Sequence, residues 1–249
     1  GHAEEQNCEQ MFGHVPIPVG YAGPLPVTFS SGEKAAIHLP LATTEGALVA
    51  SVNRGCKALR GSGGVRTEST YHGVTRSIAL KMHNKRVTLS SSKGDTHESW
   101  FDELTMTRCK IQKQEKEWMA VGEATSTHLT ILKYDMDTKD DYIFLTIYAD
   151  TDEAMGMNMV TIAAEAIGKW LEQNIGQCVT LVTVAANVDS DKKPSLRTHD
   201  RGRGYEVTAT ATMSTDVLCD VLKTTPEALL EVAHTKLDLG SALAGALGR

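Results

Sequence analysis

The chain has 249 residues, 41% of them hydrophobic and 22% charged, which is enough to bury a sizeable core in one or two domains. A formal net charge of -6 argues against a nucleic-acid-binding surface, which usually carries an excess of Lys and Arg. No apolar run approaches the ~20 residues of a membrane helix and the N-terminus has no signal-peptide pattern, so the sequence reads as soluble and intracellular.

Gly1 and His2 stand where an initiating methionine is usual, which suggests a processed or engineered start outside the fold argument. Residues 9–26, EQMFGHVPIPVGYAGPLP, carry four prolines and three glycines among apolar residues, the pattern of extended chain and tight turns. From Thr43 the spacing turns helical through Leu48, Val52, Cys56 and Leu59. Thr43 is the expected N-cap, Glu45 falls in the first turn where the helix dipole favours a carboxylate, and GSGG at 61–64 ends the helix.

Charge-rich stretches follow around 93–117 and 133–141, the second expected to be a hairpin or loop. DYIFLTIYA from Asp141 predicts a strand, and DTDEAMGMNM leads into a helix through Ile162, Ala166, Ile167 and Trp170. CVTLVTVAA predicts a buried strand feeding the loop VDSDKKP at 188–194. YEVTATATM predicts an alternating strand, and a helix is expected from about Ser214 to Lys223. Thr225 and Pro226 are N-cap and first-turn proline of a helix to about Lys236, and GSALAGALGR is helical in period. The class is mixed α and β.

Five cysteines without a C-x-x-C pair predict reduced, mostly buried thiols, and nine histidines without H-E-x-x-H spacing predict no metal. EAMGMNM, residues 153–159, places an acid and a glycine at a strand-to-helix junction, where free N–H groups can receive a phosphate; on its own, core packing by methionine is the better reading. Glu45 suits a general acid or a helix-dipole partner, with the second favoured, and Arg76 a carboxylate clamp or a surface arginine. DRGRG at 200–204 reads as a turn, and Lys192, behind a buried-type strand and before Pro194, suits a developing oxyanion as well as a solvated face.

In this order these segments resemble the catalytic portion of 3-hydroxy-3-methylglutaryl-coenzyme A (HMG-CoA) reductases of the class shared by eukaryotes and archaea. EQMFGHVPIPVGYAGPL resembles the family's dimerisation segment E-N-x-I-G-x-x-P-I-P-V-G-x-A-G-P-L, and ATTEGALVASVNRGCKA its substrate helix. EAMGMNM resembles its cofactor motif D-A-M-G-M-N-M, and DKKP its catalytic loop, while VLKTTPEALLEV and GSALAGALG continue the likeness almost to Arg249. The likeness is weakest between about 80 and 120.

The resemblance implies a two-stage reduction of HMG-CoA to mevalonate by NADPH, with NADH not excluded as cofactor. It implies that Lys192 stabilises the thioester oxyanion and that Glu45 supplies a proton in the aldehyde stage. Arg76 and Lys193 would hold the substrate carboxylate, with Asp191 and Lys236 completing the pocket. Ser51, Asn53, Arg54, Lys57 and Lys223 match positions around coenzyme A, and Ser126, Asn187 and Glu153, Ala154, Met155, Gly156, Met157, Asn158 and Met159 match cofactor contacts. The implied fold is α+β: a large α/β substrate and dimerisation domain, 1–77 and 194–249, interrupted by a small ferredoxin-like cofactor domain at 78–183, with the catalytic loop at 184–193. Active sites would lie between subunits of a homodimer or higher oligomer, with no nucleic acid and no membrane segment. A non-catalytic or truncated acyl-CoA-binding dimeric relative is the alternative. The family pattern continues past Arg249 with a catalytic aspartate and a tail histidine, so a chain ending there is expected to have an incomplete site. Ala185 stands where the family usually has a serine, and Thr127 and His128 replace an Arg-Phe pair near the cofactor's ribose phosphate, leaving the choice of NADPH over NADH open.

Overall fold

A computed structural model describes residues 8–83, 98–176, 178–190 and 194–246, with the side chains of 98–103 left aside. The contacts divide the chain into two units, Gly1–Ser69 with Val207–Arg249, and Thr70–Glu206. The divide falls inside two strands, Val65–Tyr71 and Tyr205–Thr210.

The first unit is built on β1 (Val19–Phe29), β2 (Lys34–Ala42), β3 (Val65–Tyr71) and β8 (Tyr205–Thr210), in the order β2-β1-β3-β8. β1 runs antiparallel to β2 and parallel to β3. Pro24 and Pro26 donate no ladder hydrogen bond, and the β1–β2 register slips between Ala22 and Leu25, where β1 takes up one extra residue. Helix α1 (Leu48–Gly61) lies against β1 and secures the slip: the Asn53 side chain accepts from the Gly23 N–H at 2.9 Å and donates to the Tyr21 carbonyl at 3.3 Å.

Helix α1 starts later than the sequence predicted. The Thr43 hydroxyl accepts from the Glu45 N–H at 2.9 Å, a local turn only two residues long, and Ala47 in the left-handed region (φ 65°) then opens the helix at Leu48. Thr43 is therefore not the N-cap, Glu45 is outside the first turn, and the dipole reading of Glu45 is withdrawn. The helix ends as expected at Gly61; at Gly64, φ is 89° and a Cβ would lie 2.4 Å from the Pro26 carbonyl oxygen, so only glycine fits.

The C-terminal helices of this unit are shorter than expected. Ser214 caps α6 (Thr215–Val217), which passes into π-helical Leu218–Leu222 and stops at left-handed Lys223, φ 58°. Thr225 caps α7 (Pro226–Ala233) through the Ala228 N–H at 3.3 Å, as its Thr-Pro start predicted. π-helical His234–Gly240 and α8 (Ser241–Leu243) follow, so the regular α turns end before Lys236.

The second unit runs β4 (Val74–Met82), α2 (Glu98–Lys113), α3 (Glu115–Glu123), β5 (Thr130–Lys139), β6 (Tyr142–Asp150), α4 (Met157–Asn174), β7 (Val179–Thr183) and α5 (Leu196–Arg201). Its sheet has the order β5-β6-β4-β7 with every neighbouring pair antiparallel. The stretch 133–141 is the expected hairpin, turning at left-handed Asp140. Val160, Ala163, Ala164, Ile167 and Leu171 on α4 pack on Ile78, Leu80, Ile143, Leu145 and Ile147 of the sheet. Trp118 is fully buried, its indole N–H donating to the Ile111 carbonyl at 2.9 Å and its ring meeting Tyr134 edge-on.

Three packing expectations are corrected. The buried stripe of α4 bypasses Ile162, which is 57% exposed, because the apolar run allowed two overlapping helical stripes. β7 lies at a sheet edge, so Val179 is buried but Val182 is 53% exposed. Of the five thiols, all free, only Cys56 is buried; Cys178 is half-buried, and Cys8, Cys109 and Cys219 are exposed. Among the described residues no helix is long and apolar enough to cross a membrane.

Candidate active site

In the second unit, Arg76, expected to clamp a carboxylate, projects from β4 between two other elements. Its Nε donates to Thr161 Oγ1 at 2.9 Å, and Thr161 Oγ1 donates onward to the Met157 carbonyl at 2.7 Å, in the first turn of α4. Its Nη1 lies 3.4 Å from Asp189 Oδ2, where the side chains are 14% and 1% exposed. The same oxygen accepts from the Ser77 N–H at 3.2 Å, and the Asp189 carbonyl accepts from Thr75 Oγ1 at 3.3 Å. An ionised carboxylate this buried is tolerable only when paired and hydrogen-bonded. Next to it the Ala186 N–H donates to the Ser77 carbonyl at 2.9 Å, and Asn187 takes a left-handed conformation, φ 63°, with its side chain exposed.

The Glu153–Met159 segment forms a tight approach to α4. Thr151 Oγ1 donates to the Ala154 carbonyl at 2.8 Å and the Ala154 N–H donates back to the Thr151 carbonyl at 3.2 Å. Gly156, φ 79°, precedes the helix; a Cβ there would fall 2.3 Å from Thr151 Oγ1. No side chain caps α4, so its first N–H groups point out at the end where an anion is favoured. Glu153, Ala154, Met155 and Asn158 are exposed, whereas Met157 and Met159 pack against the core, as the packing reading expects. Ser126 Oγ accepts from the His128 N–H at 3.2 Å, and His128 Nδ1 pairs with Asp152 Oδ2 at 3.1 Å, which brings the Ser126 turn beside this loop.

In the first unit, Ser51, Arg54 and Lys57 stand exposed on α1, while Asn53 faces β1 and is engaged with its backbone. Glu45 is exposed in the turn before α1. Lys223 ends the π-helical turn that packs on α1, and Lys236 is exposed farther along. Asp191, Lys192 and Lys193 lie outside the described residues.

Sequence reasoning missed several partners. Asp189 was only part of a charge cluster, and its burial depends on β4, more than a hundred positions away. Thr161 carried no signal. The arginines of DRGRG do more than flank a turn: Arg203 Nε donates to Thr75 Oγ1 at 2.9 Å, and Arg201 with Arg197 forms an ion-paired box on Asp135 and Asp137 of β5. Two arginines one helical turn apart on α5, and two aspartates on one face of β5, were the available clue.

The fold and site define a two-unit α+β chain whose second unit gathers an anchored arginine, a buried aspartate and an uncapped helix start. The family model for hydroxymethylglutaryl-coenzyme A reductase matches residues 2–249. The chain is 39% identical over 245 residues to the 3-hydroxy-3-methylglutaryl-coenzyme A reductase of Pyrococcus horikoshii, covering 98% of this chain and 55% of that protein. With that of Halobacterium salinarum it shares 35% identity over 246 residues, covering 99% and 56%. A solved reductase from Streptococcus pneumoniae has the same fold, with a TM-score of 0.64 at 18% identity over 93% of this chain and 47% of that one. A second, a class II reductase from that organism bound to NADPH in open conformations, gives 0.62 at 18% identity, covering 87% of this chain and 45% of that chain. This chain belongs to the hydroxymethylglutaryl-coenzyme A reductase family, and it spans about half the length of the curated relatives it matches.

Proposed function

We propose that this chain carries the substrate-binding and cofactor-binding part of an HMG-CoA reductase, which reduces HMG-CoA to mevalonate with NADPH. The observation that carries the reading is the meeting of Arg76, the Asn187 loop and the uncapped start of α4 at one end of one sheet. NADPH, when bound, supplies the hydride for each reduction. The Glu153–Met159 turn and the free N–H groups of α4 suit its phosphates, and Ser126 and Asn187 border them. Thr127 and His128, the latter paired with Asp152, stand in place of the family's Arg-Phe pair, which leaves NADH a competent alternative. What supports a ferredoxin-like cofactor domain in the interruption at 78–183 is the β-α-α-β-β-α-β succession and its antiparallel order.

In this reading Arg76 and Lys193 hold the substrate carboxylate, with Asp191 and Lys236 beside them. Ser51, Arg54 and Lys57, with Lys223, face coenzyme A, while Asn53 anchors α1 to β1. Lys192 stabilises the oxyanion at the thioester carbon, and Glu45 protonates that oxygen at the aldehyde stage. The protein would act as a homodimer or higher oligomer in the cytoplasm, each site drawing Glu45 and Lys192 from different subunits. In the longest native chain carrying this sequence, NADPH oxidation with HMG-CoA is expected, and Lys192→Ala should lower kcat by about 100-fold or more. Coenzyme A binding without turnover by the unaltered protein would overturn the enzymatic reading in favour of a non-catalytic acyl-CoA-binding relative.

A further inference from the structure

One buried charge has no role in the reductase scheme: Asp189. Its side chain is 1% exposed, and its contacts fall on three successive residues of β4. The carbonyl takes the Thr75 hydroxyl, and Oδ2 takes both the Ser77 backbone N–H and Nη1 of Arg76. One oxygen thus ties the guanidinium to the β4 backbone. The opposite edge of the guanidinium is tied by Nε to Thr161, and through it to the first turn of α4. An arginine side chain is long, but its donors lie in one rigid plane, so two anchors on different edges fix that plane before any ligand arrives.

We propose that Asp189 is a positioning residue that orients Arg76 for the carboxylate of the substrate; this rests on the reductase reading. Neutralising a buried arginine needs only a nearby negative charge. Here the charge is instead shared with a backbone N–H of the same strand, which sets direction as well as charge. Ordering the guanidinium in advance removes a cost that binding would otherwise meet, and the gain goes only to ligands that carry a carboxylate.

The test compares two probes by calorimetry on the longest native chain: HMG-CoA, which bears a carboxylate, and coenzyme A, which does not. Asp189→Asn keeps an acceptor for the Ser77 N–H but removes the charge. It is expected to weaken HMG-CoA about tenfold while leaving coenzyme A within about twofold, with KM raised and kcat largely kept. Thr161→Val removes the other anchor without touching the buried charge and should give a smaller loss of the same selectivity, which keeps the test open should Asp189→Asn fold poorly. In the Arg76→Lys background, Asp189→Asn should add little further loss. Equal weakening of both probes, or none, overturns the proposal and leaves Asp189 a structural ion. If the unaltered protein binds HMG-CoA no better than coenzyme A, the reductase reading falls as well; if it prefers HMG-CoA and Asp189→Asn keeps that preference, only the role of Asp189 falls.

Discussion

Asp137 and Tyr134 of β5 each link the protein's stability to pH. Burial alone would raise the Asp137 carboxyl, but hydrogen bonds and charge from Arg201 and Arg197 outweigh it and hold the group below its ordinary range. A depressed carboxyl stabilises the fold above its unfolded value of about 3.9, and that contribution is lost as pH falls from there through the lower folded value. Asp137→Asn should therefore lower the melting temperature at neutral pH and flatten its decline below about pH 4. Salt should shrink the difference, because these groups are partly exposed. A wild-type acid limb that the substitution leaves unchanged would refute the assignment. Tyr134 has the opposite sign. Burial, then the hydrogen bond its hydroxyl donates to Glu115 at 2.8 Å, push the phenol up to about 12. The folded state keeps the proton that the unfolded chain releases near pH 10, so the stability it adds is full below about 10 and is lost as pH rises towards 12. Tyr134→Phe should lessen the fall of melting temperature across that alkaline window.

At the scale of elements, two short segments depend on single residues. Asn53→Ala removes both bonds that α1 makes to the β1 slip and should cost about 1–2 kcal/mol, measurable by urea denaturation. Gly156→Ala places a methyl group against Thr151 at a left-handed position; the expected cost is about 1–3 kcal/mol, and weaker NADPH binding should accompany it while the first unit keeps its stability. The elements themselves were largely legible, because hydrophobic period and turn chemistry are local: the β5–β6 hairpin, the Thr225–Pro226 start and the Gly61–Gly64 stop all lie where the sequence puts them. What was not legible depends on partners distant in the chain. The start of α1 turned on whether Thr43 bonds two or three residues ahead, the edge position of β7 on its pairing with β4, and the burial of Asp189 on β4 as well. The site followed the same division. Arg76 and the Gly156 turn could be singled out from type and spacing, while the groups that hold Arg76, Asp189 and Thr161, emerge only once the sheet brings them together.

At the scale of the whole molecule, the N-terminal segment sets the expected assembly. Phe12, Val15, Ile17, Val19 and Tyr21 are all exposed within ten positions, a solvated apolar run of the kind that marks an association surface. A second copy of the chain is the natural cover if the active site is shared between subunits, and the sharing can be tested by complementation. Glu45→Gln and Lys192→Ala should each be nearly inactive alone. If one site takes Glu45 from one subunit and Lys192 from the other, a mixed dimer contains one site with both native residues and one with neither. Random reassociation of equal amounts makes half the dimers mixed, so the mixture should recover about a quarter of unaltered activity. Sites built within a single subunit would recover none, because every site in the mixture would lack one of the two residues. Adding Phe12→Asp to both variants should abolish the recovery if the apolar run forms the contact, and sedimentation should then show the smaller species. Recovery that persists with Phe12→Asp in place would move the contact elsewhere while leaving the shared site intact.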